Sequence, residues 1–204
     1  AVCLMNTGTF ERSRDAWFRP LYAWALRQMD AVVYGSEAQR ALWDRPGSSS
    51  WPRSQVLYNG VDMQRFDAPQ WVAAGRALRA EWGVPEGRFV FGSSGRLAPE
   101  KNYPVLVEAL AQLCGRGVDA QLLIVGEGPM RAALEALASE RGVADRMSLI
   151  GSRDDVRPAL AALDVFVLPS TNETFSNAAL EAMSMGLPAI LSRVGGAPEM
   201  VTEG

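Results

Sequence analysis

Five short apolar runs alternate with longer amphipathic ones between residues 88 and 191, and few folds accept that pattern. The runs are Arg88–Gly92, Gln121–Val125, Met147–Ile150, Val165–Leu168 and Ala189–Leu191. Between them, Tyr103–Cys114, Pro129–Glu140, Val156–Ala162 and Ala178–Met185 carry helical spacing. Leu106, Leu110 and Leu113 share one helix face, and Leu134 and Leu137 share another. Asn102 reads as an N-cap, with Pro104 in the first turn that follows. Apolar strands separated by helices predict an α/β fold, a parallel sheet with helices on both faces. Ligands of such sheets bind beyond the carboxyl ends of the strands. That directs attention to the loops Ser93–Lys101, Gly126–Pro129, Gly151–Asp155 and Pro169–Asn177.

The earlier part of the chain reads as the closing portion of another α/β domain. Ala1–Met5 resembles the end of a strand, Arg12–Gln28 a helix, Ala31–Tyr34 a strand, Glu37–Trp43 a short helix and Gln55–Tyr58 another strand. Asp44–Arg53 is a loop rich in Pro, Gly and Ser, and Asn59-Gly60-Val61-Asp62 is a turn signal. A boundary near Phe66–Gln70 gives two segments, 1–67 and 68–204. Both ends read as those of a fragment of a longer protein.

Composition narrows the chemistry. A net charge of −3 offers no basic footprint for nucleic acid. No apolar run approaches the ~18 residues of a membrane helix. Cys3 and Cys114 stand far apart, which suits a reduced, cytoplasmic setting and argues against zinc or thiol chemistry. Histidine is absent, and with it the commonest general base and metal ligand.

Three stretches could carry a reaction. In Gly95-Arg96-Leu97-Ala98-Pro99-Glu100-Lys101, an Arg fork and a Lys point charge follow a strand and suit a diphosphate, although a solvated loop would look the same. Gly126-Glu127-Gly128-Pro129 follows a strand and opens a helix. It lets a backbone pass close to something flat or anionic, or it is a tight turn; Arg131 stands where a dinucleotide fingerprint has its third glycine. In Ser170–Gly186, Asn177 reads as the N-cap of a helix whose first N–H groups face the loop. The helix dipole would account for Glu181 in the first turn but not for Glu173 upstream of the cap. Two carboxylates flanking free N–H groups suit a nucleotide sugar, with its ribose, diphosphate and sugar. No Asp-x-Asp occurs, so the short carboxylate motif for Mg²⁺ on a diphosphate is missing.

Together these residues resemble the GT-B-fold retaining glycosyltransferases of family 4, the glycosyl transferases group 1. Tyr58-Asn-Gly-Val-Asp62 with Phe66 is similar to the interdomain NGVD…F signature. Gly95-Arg96-Leu97…Lys101-Asn102 is similar to the GR-L…K-G segment, with Asn in place of glycine. LLIVGEGP (122–129), MSLIG (147–151), the E-x7-E pair Glu173…Glu181 and Gly195-Gly196…Glu199 follow in order. The resemblance implies a Rossmann-like donor domain facing a second α/β domain, here only partly present. It implies Arg96, Lys101 and Glu173 as the catalytic groups, the first two on the diphosphate and Glu173 on the transferred sugar. It implies donor binding by Gly126, Gly128, Gly151 and Arg153 around the base and ribose. Phe175, Ser176 and Asn177 would hold the distal phosphate or sugar through their backbone, and Glu181 the ribose hydroxyls.

On that reading the substrate is a UDP- or GDP-linked sugar, with no cofactor and no obligatory metal. The acceptor, a carbohydrate or a lipid-linked one, would bind the missing part of the N-terminal domain. The whole protein would be cytoplasmic or peripheral to the membrane, and the fragment inactive alone. Other readings are a non-catalytic nucleotide-sugar-binding module and a GT-B nucleotide-sugar epimerase. A phosphorylase would need a pyridoxal-phosphate lysine context, and a dehydrogenase a fuller glycine fingerprint.

Overall fold

The computed structural model describes residues 2–4, 19–43 and 54–201, the first segment and residues 19, 22 and 23 by backbone alone. Strand–helix alternation folds as expected. The elements are β1 (Val2–Leu4), α1 (Arg19–Arg27), β2 (Ala31–Tyr34), α2 (Glu37–Trp43) and β3 (Ser54–Val56), then α3 (Val72–Glu81), β4 (Phe89–Ser94), α4 (Pro104–Gly115), β5 (Ala120–Val125), α5 (Arg131–Glu140), β6 (Met147–Leu149), α6 (Arg157–Leu160), β7 (Val165–Leu168), α7 (Asn177–Ser184), β8 (Ala189–Leu191) and α8 (Ala197–Met200). The chain divides into two compact units. One holds 1–60, 172–176 and 193–204; the other holds 61–171 and 177–192.

In the first unit β1, β2 and β3 form a three-stranded parallel sheet with β2 in the middle. Its alternating burial sends Val32 and Tyr34 inward with Leu26 of α1, against Trp43 and Val56. The beginning of the helix expected over 12–28 and the loop expected over 44–53 lie outside the described residues.

The second unit is a five-stranded parallel sheet in the order β6-β5-β4-β7-β8. Every residue of β5 is buried, as a strand covered on both faces requires. Leu106, Leu110, Leu122, Ile124 and Leu134 are sealed in the core between this sheet and α4 and α5. Each buried leucine or isoleucine contributes about 1.5–3 kcal/mol. On the opposite side α3 packs on α6, and α7 on β7 and β8.

Three local expectations are corrected. Ser93 and Ser94 are not a flexible exit but the last, buried residues of β4. Asn102 is not an N-cap: it ends the 3-10 turn Pro99–Lys101 in the left-handed region at φ 54°, and the N-cap of α4 is Tyr103. Asparagine tolerates that conformation better than most residues, which explains how it replaces a glycine there. The third correction is α3, which the apolar pattern does not announce. Its close contact with the end of α6 is made at Gly75, where a Cβ would come within 2.5 Å of the Ala161 carbonyl oxygen.

Candidate functional site

From β4 at the centre, the chain builds outward through β5 and β6, then returns to lay β7 and β8 on the other side. The order therefore reverses between β4 and β7, and the loops leaving their carboxyl ends flank the place where such sheets bind ligands. Those two loops touch: the Thr171 N–H donates to the Glu100 carbonyl at 2.8 Å.

The loops after β4, β5 and β6 lie side by side, joined by their backbones. Gly95 N–H donates to the Val125 carbonyl at 2.9 Å, Leu97 N–H to Glu127 at 2.9 Å, Met130 N–H to Leu97 at 3.0 Å and Gly126 N–H to Gly151 at 2.8 Å. This arrangement accounts for the glycine pair. At Gly126 a Cβ would fall inside the Gly95 carbonyl, and at Gly128 inside the Leu97 carbonyl. The close approach that these glycines permit is thus to the neighbouring loop. Arg131 holds this junction by donating to Glu127 at 2.9 and 2.6 Å and to the Leu149 carbonyl at 3.2 Å. Those hydrogen bonds hold the Glu127 carboxyl below the ordinary range. Gly126→Ala is expected to cost about 1–3 kcal/mol, the range for overpacking a close contact. Chemical denaturation measures it, and a variant as stable as the parent would contradict the loop geometry.

At the end of β4, Arg96 is ion-paired with Glu100, four residues on, and its side chain is 67% exposed. Sequence reasoning passed over Glu100, although opposite charges four apart were a signal. Its own backbone N–H, followed by the Arg96 and Lys101 charges, pulls the Glu100 carboxyl below its usual range. Lys101 folds back over the strand end: its Nζ comes within 4.0 Å of the point a Cβ on Gly95 would occupy, and the Tyr103 hydroxyl within 3.0 Å of the same point. Arg153, in the loop after β6, is exposed and makes no ion pair among the described residues. Gly151, in that loop too, takes φ +77° and faces the Glu127 carboxylate.

Glu181 differs from every other acidic group in this unit. It is the fifth residue of α7, outside the first turn, so the dipole explanation fails. It is half-buried, and its carboxylate has neither hydrogen bond nor ion pair among the described residues. Burial alone pushes its carboxyl up.

The remaining candidates belong to the first unit, except Asn177, which begins α7. Glu173, Phe175 and the buried Ser176 lie on a loop gripped by its neighbours. Gly196 N–H donates to the Thr174 carbonyl at 2.9 Å, and Asn59 Nδ2 donates to the Phe175 carbonyl at 3.2 Å. The Tyr58 ring sits 4.9 Å from that of Phe175. Glu199 accepts from the Glu37 and Ala38 N–H groups at 2.8 Å each and from the Tyr58 hydroxyl at 2.9 Å. That hydrogen bond raises the Tyr58 pKa. Glu199 entered the sequence reading only as the tail of a motif; its spacing after Gly195-Gly196 was the available clue.

A cavity of about 580 Å³ opens at the other end of the sheet, at the amino ends of β4, β5 and β6. Its arginines are already matched: Arg88 and Arg146 both pair with Asp119. No group of acidic or thiol side chains placed to hold a metal occurs among the described residues. No helix among them is long and apolar enough to cross a membrane.

Residues 76–204 match the family model for glycosyl transferases group 1. The chain is 36% identical over 173 residues to the GDP-mannose-dependent alpha-(1-6)-phosphatidylinositol dimannoside mannosyltransferase of Mycobacterium tuberculosis, covering 85% of this chain and 43% of the relative. It is 32% identical over 191 residues to the 2-deoxystreptamine glucosyltransferase of Streptomyces kanamyceticus, covering 92% and 49%. It superposes on the crystal structure of Anabaena HepE in complex with UDP and glucose with a TM-score of 0.84 at 26% identity, over 100% of this chain and 55% of the other. The chain thus spans about half the length of the curated relatives it matches.

Proposed function

We propose that this chain, which belongs to the glycosyl transferases group 1 family, is the donor-binding half of an enzyme that transfers a sugar from a nucleotide diphosphate to an acceptor with retention of configuration. The observation that carries the reading is Glu181, a half-buried carboxylate with no protein partner among the described residues, on the helix that leaves the switch-point loop. A buried, unmatched charge costs stability unless something binds it. The two hydroxyls of a ribose would do so.

The other roles follow from chemistry. Arg96 and Lys101 take the diphosphate and meet the charge that grows on it as the glycosidic bond breaks. They and the neighbouring N–H groups make a divalent metal unnecessary. Glu173 accepts from hydroxyls of the transferred sugar, and the backbone of Phe175, Ser176 and Asn177 takes the distal phosphate or sugar. Gly126, Gly128, Gly151 and Arg153 border base and ribose.

One relative is named as GDP-mannose-dependent, and one similar structure holds UDP. Both support a UDP- or GDP-linked donor. The acceptor, a carbohydrate or a lipid-linked one, binds outside this chain, which by itself binds donor without turnover. The full-length enzyme works in the cytoplasm or at its membrane surface.

Calorimetric titration with UDP-, GDP- and ADP-sugars tests the reading. One uridine or guanosine donor is expected to bind more tightly than ~1 mM, about −4 kcal/mol. Failure of all of them to do so would refute a donor site here.

A further inference from the structure

Tyr58 and Asn59, read from the sequence as the end of a strand and the start of a turn in an interdomain signature, have side chains committed to another loop. Asn59 Nδ2 donates to the Phe175 carbonyl, and the Tyr58 ring tilts against the Phe175 ring at 35°. Tyr58 is itself fixed, because its hydroxyl donates to Glu199. Glu199 cannot swing away, since both its oxygens also accept backbone N–H groups at the start of α2. A carboxylate holding three donors is a rigid brace, for each charged hydrogen bond is shorter and stronger than a neutral one. On its other side the same loop is closed by glycine: a Cβ at Gly195 would overlap the Glu173 carbonyl, and Gly195 takes φ +52°. The Asn59, Tyr58-ring and Gly195 contacts end on residues 173–175, and those of Glu199 hold Tyr58 in place. None is needed to bury apolar core, and Tyr58 is 46% exposed. So elaborate a hold on one partly buried loop makes sense when a side chain on it must be kept in register.

We propose that Tyr58 and Asn59, braced by Glu199, are positioning residues that hold the backbone carrying Glu173 in the geometry that sugar transfer requires. The proposal rests on the donor-site reading, in which Glu173 binds the transferred sugar. A carboxylate displaced by an ångström loses much of its transition-state effect while the substrate still binds. The consequence is a split between kcat and nucleotide affinity that a merely structural role would not produce.

The test uses the full-length enzyme, with Glu173→Ala as the reference variant. Tyr58→Leu and Asn59→Ala are expected to lower kcat by roughly tenfold or more while the Kd for UMP or GMP, which lack the distal phosphate assigned to the same loop, stays within about twofold. Tyr58→Phe keeps the ring on Phe175 but loses the bond to Glu199, so its loss of kcat should lie between those of the parent and Tyr58→Leu. Asn59 is an exposed polar residue, so Asn59→Ala decides the matter if Tyr58→Leu does not fold. Loss of turnover in Glu173→Ala together with unchanged kcat in Asn59→Ala and Tyr58→Leu overturns the positioning role and leaves the donor site standing. Parallel loss of kcat and of UMP or GMP affinity also overturns it, since that marks a structural role. Normal turnover in Glu173→Ala brings down both readings.

Discussion

Lys101→Ala in the full-length enzyme is expected to cut kcat by about 10²–10³, the range seen when one preorganised electrostatic group is removed from a reacting centre. The fold gives Lys101 this weight. It ends a one-turn 3-10 segment, and the left-handed Asn102 behind it turns the chain into α4. Its stem lies over Gly95, at the carboxyl end of the central strand. Arg96 is engaged by Glu100, so part of any gain on binding diphosphate is offset by breaking that pair. Steady-state kinetics at saturating donor measure the effect, and near-normal turnover in Lys101→Ala would remove it from the catalytic groups. Its folding should be little changed, because no core side chain is lost.

How much of this was legible beforehand depended on what each residue does. β7 and β8 fall where the sequence places them, because Asp164 and Pro169 bound one apolar run and Pro188 opens the other. The α4 and α5 faces were legible through leucines spaced three and four apart, and those leucines are in the core. Helix α3 escaped because Gly75, a residue with no apolar signal, makes its closest approach. Ser93 and Ser94 escaped for the same reason: polarity suggested a loop, while the sheet buries both. Within the candidate site, single residues were legible and their neighbours were not. Arg96, Lys101 and Glu181 stand out by type and spacing, whereas the hold of Glu199 on Tyr58 joins positions 141 apart in sequence. The glycine pair at Gly126 and Gly128 was visible, but only coordinates show that loop packing, and not a ligand, claims their missing side chains.

Glu181→Gln separates the stability of the fold from its function. Burial raises the Glu181 carboxyl above its ordinary value of about 4.3. The sign follows directly. Below about 4.3 folded and unfolded chains are both protonated and the group contributes nothing adverse. As pH rises, the unfolded chain ionises first while the folded chain keeps its proton, so stability falls until the raised pKa is passed and then stays lower. Glutamine never ionises. The variant should therefore match the parent in acid and be more stable at pH 7, a difference that thermal unfolding at the two pH values detects. Nucleotide binding should move the other way. Replacing a charged acceptor for the ribose hydroxyls by a neutral amide forfeits about 1.5–3 kcal/mol, or roughly 10- to 150-fold in Kd. Gain of stability with loss of affinity is the mark of a group kept for its ligand. A variant less stable at pH 7, or one that binds nucleotide within about twofold of the parent, would mean that the carboxylate of Glu181 has another purpose.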